Sequence, residues 1–248
     1  MDGIAVRLER LKREARKEWK RRVKRLRRGT PQARAKEWRA LAGAVAGAVL
    51  KVALIFALPF AVLVRGAVFF HQYGRIPVWL ALLVAALITC GIVTAYAAWV
   101  SHRLTGRARA LFLGKWVAMP LVIVFCGHSL LYLARVNAKA EPVRAYYTSV
   151  HPLLRLALST LILADGDIVV TDFGRQPADY RRMGLPVNSR TRHYRKSDGW
   201  VHAVDVRTTG RGAVRNRTVQ FYFWLMGFET RRHVGTADHL HVELRQSR

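Results

Sequence analysis

Hydrophobic residues are distributed along the chain in two regimes, long unbroken runs first and short alternating or helically spaced ones afterwards. Residues 41–64, 77–100 and 111–134 are runs of about 20 or more apolar residues, the length a helix needs to cross a hydrocarbon core. The second run carries no charge. The first contains Lys51 and Pro59, and the third Lys115, Pro120 and His128. For Lys51 and His128 an ion or proton path competes with snorkelling or an interhelix contact, and the second explanation is the commoner one. Residues 151–164 are apolar over only 14 positions, which predicts a short buried helix or a segment resting on the membrane rather than a span.

After Gly166 the pattern changes. Residues 167–173 and 200–207 read as strands rich in Val. Residues 213–226 read as a helix with Phe221, Leu225 and Phe228 on one stripe and Gly227 as its stop. Residues 228–233 then lead into a last strand. There His239, His241 and Glu243 share one face, while Leu240, Val242 and Leu244 take the other. One face of that strand can pack and the other can carry chemistry. A polar, wet face would be the ordinary alternative.

Charge sharpens the first half. The chain holds 42 Lys and Arg against 15 Asp and Glu, a formal net charge of +27. Much of it lies in residues 1–40, where Leu8, Leu11, Ala15, Trp19 and Val23 recur near helical spacing. This predicts a basic amphipathic helix on anionic lipid headgroups. A nucleic-acid arm is the rival; the apolar runs that follow favour the membrane, and no nucleic-acid partner is expected. The basic region is too long for a cleavable secretion signal. The second connection carries Arg103, Arg107 and Arg109, the first only Arg65 and Arg75. Positive charge therefore predicts a cytoplasmic N-terminus and, after three crossings, a C-terminal part outside. Cys90 and Cys126 both fall in the runs and offer no disulfide or metal site to that part.

The divisions expected are a basic cytoplasmic arm at 1–40, a three-helix membrane region at 41–134, a linker at 135–150 with Tyr146 and Tyr147 at the interface, and a domain at 151–248. Between the strands of that domain, 176–192 reads as a basic loop with Arg181, Arg182, Arg190 and Arg192, able to pair with carboxylates or phosphates or simply to be solvated.

Three segments carry candidate chemistry: Thr191-Arg192-His193, Ala203-Val204-Asp205 and Asp238-His239-Leu240-His241. A catalytic zinc takes about three protein ligands and keeps a position for water. Together these segments resemble the zinc peptidases of the D-Ala-D-Ala carboxypeptidase and dipeptidase group, with relatives among murein endopeptidases, phage endolysins and the hedgehog signalling domain. The resemblance covers roughly 151–248. It implies His193, Asp205 and His241 as zinc ligands, Asp238 or His239 as catalytic base, and Arg175, in Val169-Val170-Thr171-Asp172-Phe173-Gly174-Arg175, as the substrate-orienting residue. The family pattern has a His seven positions before the Asp, where this chain has Asp198. The nearest alternatives are His193 and His202. His193 is preferred because an odd offset in a strand turns His202 away from Asp205.

The expected fold class is a membrane protein with three transmembrane helices followed by an exported α+β zinc peptidase-like domain. The expected function is a zinc metallopeptidase, anchored in the cell membrane, that hydrolyses peptidoglycan stem-peptide bonds on its outer side. Alternatives are an inactive domain acting as a wall-binding or scaffold protein, or a phage-type lysis protein.

Overall fold

A computed structural model describes the whole chain except residues 1, 29, 175–180, 182–183, 185, 187–190, 236–237 and 246–248. Helix α1, Asp2–Arg28, carries the basic arm, with Ala15 and Trp19 exposed on it. Thr30 begins the next helix as a cap: its Oγ1 accepts from the Ala33 N–H at 3.3 Å, and Pro31 follows with φ already suited to a first turn. Helix α2 then runs unbroken from Pro31 to Gln72, so residues 31–40 of the arm belong to the same helix as the first apolar run. Helices α3, Val78–Thr105, and α4, Ala110–Leu131, complete three helices long and apolar enough to cross a membrane. A π-helical stretch, Gly114–Ala118, interrupts α4. Both cysteines are free and half-buried.

The chain forms two compact units, Met1–Pro59 with Cys90–Ala118, and Phe60–Thr89 with Met119–Arg248. The second holds the sheet and is built on pieces of all three apolar helices. Leu63, Val64, Ala67 and Val68 of α2 and Leu82 and Ala85 of α3 join the same buried cluster as Leu153–Leu158 and the inward residues of the sheet. A single apolar helix could not supply these walls, which gives a physical reason for more than one.

Residues 151–164 form a buried core helix. His151 caps α5, Pro152–Ala164, by accepting the Leu153 N–H on Nδ1 at 3.3 Å, and Leu153, Leu154, Leu156, Ala157 and Leu158 are all buried. Tyr147 fixes this region to α4, donating its hydroxyl to the Ser129 carbonyl at 2.5 Å. Burial pushes that hydroxyl's pKa up to about 12.

The sheet has four antiparallel strands in the order β1-β2-β4-β3: β1 Val170–Asp172, β2 Ala203–Arg207, β3 Glu229–His233 and β4 His239–Glu243. Residues 229–233 are thus a full strand, paired with β4 as a hairpin at the sheet edge. Val204 and Val206 of β2 and Leu240 and Val242 of β4 point into the core. Helix α6, Ala213–Met226, covers them, but not with the expected stripe. Val219, Phe223 and Met226 are its buried apolar residues, and Phe228 of the expected stripe is buried just beyond the helix, whereas Phe221 and Leu225 are 56% and 48% exposed. The helix has apolar residues nearly all round its last turns, so spacing alone does not choose the buried side. The sheet chooses it.

Gly227 ends α6 in the left-handed conformation, φ +98°, with the Phe228 N–H returning to the Phe223 carbonyl at 3.0 Å. A Cβ there would lie 2.5 Å from Arg65 Nη1 and 2.9 Å from Val68 Cγ1. Gly227→Ala is therefore expected to destabilise the second unit by roughly 1–3 kcal/mol, combining backbone strain with displacement of a core valine. Thermal unfolding of the full chain in detergent checks this; an unchanged midpoint would contradict the packing described.

Candidate metal centre

Strand alternation puts Asp205 of β2 and His241 of β4 on one face, and the antiparallel register places them opposite each other. His241 Nδ1 lies 2.8 Å from Asp205 Oδ1. The third group comes from outside the sheet. His193 sits in a turn after Thr191, whose Oγ1 accepts the His193 N–H at 3.3 Å. Its Nε2 lies 3.3 Å from His241 Nδ1 and 3.4 Å from Asp205 Oδ1. The three residues form one of two groups, among the described residues, able to hold a metal ion.

The outer hydrogen bonds aim the lone pairs inward. His193 Nδ1 donates to the Phe173 carbonyl at 2.7 Å, which leaves Nε2 as the bare nitrogen of the neutral ring. His241 Nε2 faces Glu243 Oε2 at 3.4 Å, so with its proton there Nδ1 is bare. Ligands about 2.0–2.2 Å from a tetrahedral ion stand roughly 3.3–3.5 Å apart. Two of the three separations match this. The third is shorter because, without a metal, His241 also carries a proton on Nδ1 and donates it to Asp205. The donor set, its spacing and its carbonyl and carboxylate supports all fit a divalent metal ion.

The electrostatics are those of a charged nest. Burial would raise the Asp205 carboxyl, but its close contacts with the His193 and His241 rings outweigh it and hold the group well below the usual carboxylate range. Burial opposes the charged form of His241, yet Asp205 and Glu243 together push its pKa up to about 9. The hydrogen bond to His241 in turn lowers Glu243. In protein stripped of metal, a pKa raised above the unfolded value near 6.5 means stabilisation fully present below that pH and lost as pH rises toward 9. Allowing for solvent screening the loss is on the order of 2 kcal/mol. The stability gap between wild type and His241→Gln, both kept in chelator, is expected to narrow between pH 6.5 and 9 in thermal unfolding; a constant gap would contradict the His241–Asp205 pairing.

A cavity of about 430 Å³ opens over these three residues. Glu229, Arg231 and His233, alternate positions of β3, form one wall with His239 and Glu243. The sequence pattern alone did not assign β3 a role, although Glu229, Arg231 and His233 stand two apart on one strand face. His239 lines the cavity with its Nε2 3.7 Å from Asp205 Oδ2, and its ring stacks on His233 with centroids 4.7 Å apart. Asp238 is engaged elsewhere: its Oδ1 accepts the Gly235 N–H at 2.8 Å and its Oδ2 lies 3.6 Å from Arg232 Nη2. Arg175 lies outside the described residues. His202 is turned away from Asp205 and pairs instead with Asp198, Nε2 to Oδ2 at 2.8 Å.

No protein-family model, no curated protein and no solved structure matches this chain.

Proposed function

We propose that this protein is a membrane-anchored zinc peptidase that hydrolyses peptidoglycan stem-peptide bonds on the outer side of the cell membrane. The observation that carries this reading is the convergence of His193 Nε2, Asp205 Oδ1 and His241 Nδ1 within 2.8–3.4 Å at the floor of an open cavity. Two imidazoles and a carboxylate are a ligand set that catalytic zinc uses, with further positions left for water and substrate. When bound, zinc supplies a Lewis-acidic centre that polarises a scissile carbonyl and lowers the pKa of a coordinated water.

The chain's own groups supply the rest. His193 and His241 are oriented by Phe173 and Glu243, so a metal needs only the 2.8 Å His241–Asp205 contact to open by about half an ångström. His239, facing the cavity beside Asp205, is the group proposed to take a proton at its ring nitrogen; Asp238, already tied to Gly235 and Arg232, is the less suited of the two. Arg231 on the cavity wall offers a guanidinium to a peptide carboxylate. Arg175 keeps its substrate-orienting role by resemblance alone. The substrate class rests on that resemblance and on loop charge, which favours a cytoplasmic N-terminus and an external domain. Anionic lipids are the proposed partner of the basic arm.

The test is digestion of purified peptidoglycan by the full chain in detergent with zinc, read by mass spectrometry of released peptides and by new amino groups. Release that stops on chelation supports the reading. A zinc-loaded protein that releases nothing would leave a wall-binding domain instead. A reporter fused at the C-terminus, active only outside, tests the topology; activity only in the cytoplasm sinks the wall substrate.

A further inference from the structure

A second cluster of metal-ligating side chains takes no part in the site above. His202 immediately precedes β2, and its ring lies 4.9 Å, centroid to centroid, from that of His151, the cap of α5. His151, Asp198 and His202 each present one ligand atom within 4.8 Å of the other two. Both rings are almost wholly buried, 1% and 2% exposed. Yet His151 Nε2 and His202 Nδ1 have no hydrogen-bond partner among the described residues. A buried polar atom without a partner is costly, and His151 Nε2 calls for something that satisfies it; His202 turns its other nitrogen, Nε2, to Asp198 at 2.8 Å.

The two rings are held in the neutral form. Burial, with the neighbouring His202 and His71 rings adding to it, pushes His151 down to about 2, and burial outweighs Asp198 to lower His202 as well. Both imidazoles are thus neutral, the form that ligates metal. The Asp198 side chain is 43% exposed and gives access from solvent. The His71 ring stands 5.3 Å from that of His151. Its Nδ1 donates to the Ile76 carbonyl at 3.0 Å, which leaves the Nε2 lone pair as a further donor.

We propose that His151, Asp198 and His202 hold a second divalent cation, zinc by the chemistry of the donors, which fastens the 191–202 loop to the start of α5. Two imidazoles and a carboxylate with a water in the fourth position make a tetrahedral set. Ligation through His151 Nε2 places the ring proton on Nδ1 and exchanges the 3.3 Å bond from Leu153 for a coordination bond. The His202 N–H donates to the Arg192 carbonyl at 3.1 Å, so the loop closes on itself. One end of that loop delivers His193 to the first site and the other delivers Asp198 and His202 to the second. A cation at the second site therefore holds His193 in place.

The experiment strips the full chain of metal in detergent, reloads it with Zn²⁺ alone, removes the excess and counts zinc per chain by atomic emission. Wild type is expected to hold two, His241→Ala one, and His202→Gln one. Asp198→Asn, which keeps an oxygen able to accept the Trp200 N–H, is expected to bind its second zinc at least tenfold more weakly. One zinc in wild type, lost with His241→Ala and kept in His202→Gln, overturns the second site. One zinc that survives His241→Ala and is lost with His202→Gln upholds it while removing the first. No zinc at all overturns both.

Discussion

Under the peptidase function proposed above, His241→Ala and Asp205→Asn are each expected to remove zinc from the first site and to lower peptidoglycan hydrolysis on the order of a thousandfold or more, while the chain still folds. Asp205 is 2% exposed and touches His193, His241 and His239 at once. Asparagine keeps its volume but removes the charge that balances a cation among three imidazoles. His241 contributes both a donor nitrogen and the link to Glu243. A water without its metal keeps a pKa near 15.7 instead of about 7, a loss that positioning alone does not restore. His239→Ala gives the contrast: zinc retained, with the rate lowered roughly 10²–10⁴-fold as for a lost general base. Zinc content and stem-peptide release measured on the same samples separate the cases. Activity surviving in Asp205→Asn would end the peptidase reading, and zinc lost from His239→Ala would make that residue a ligand.

The largest expected effect on stability is Phe223→Ala. The ring is fully buried, edge-on to Phe228 with centroids 6.0 Å apart, and belongs to the cluster shared by α5, the sheet and α2. Removing it leaves a cavity bounded by elements that cannot all move together, at about 3–5 kcal/mol. Native proteins commonly hold only about 5–15 kcal/mol in total. Phe221→Ala, on the exposed side of the same helix, is expected to change stability by about 0.5 kcal/mol or less. Thermal unfolding of both variants in one detergent makes the comparison, and equal shifts would mean that α6 packs by the other face.

Much of the candidate site was legible because strand geometry is local. Alternation alone put His239, His241 and Glu243 on one face of β4, and the odd offset between His202 and Asp205 turned His202 to the other side. Glu243 was on the right face, but nothing local said that it would support His241. The stripe of α6 went the other way. Phe221 and Leu225 are as well placed by spacing as Val219, Phe223 and Met226, and only the sheet beneath decided between them; Phe228, just past the helix, is buried as the stripe expected.

The sequence by itself determined the three apolar helices, the basic arm and the two-faced last strand, since hydropathy over about 20 residues and period-two alternation depend on neighbours along the chain. Tertiary structure alone decided that His193 reaches Asp205 and His241 from a turn, that β3 walls the cavity, that α2 and α3 share a core with the sheet, and that His151 meets Asp198 and His202. Those are meetings of residues about 40 or more positions apart in most cases. No local pattern encodes such a distance; closing the intervening chain is a cost that only the completed core repays.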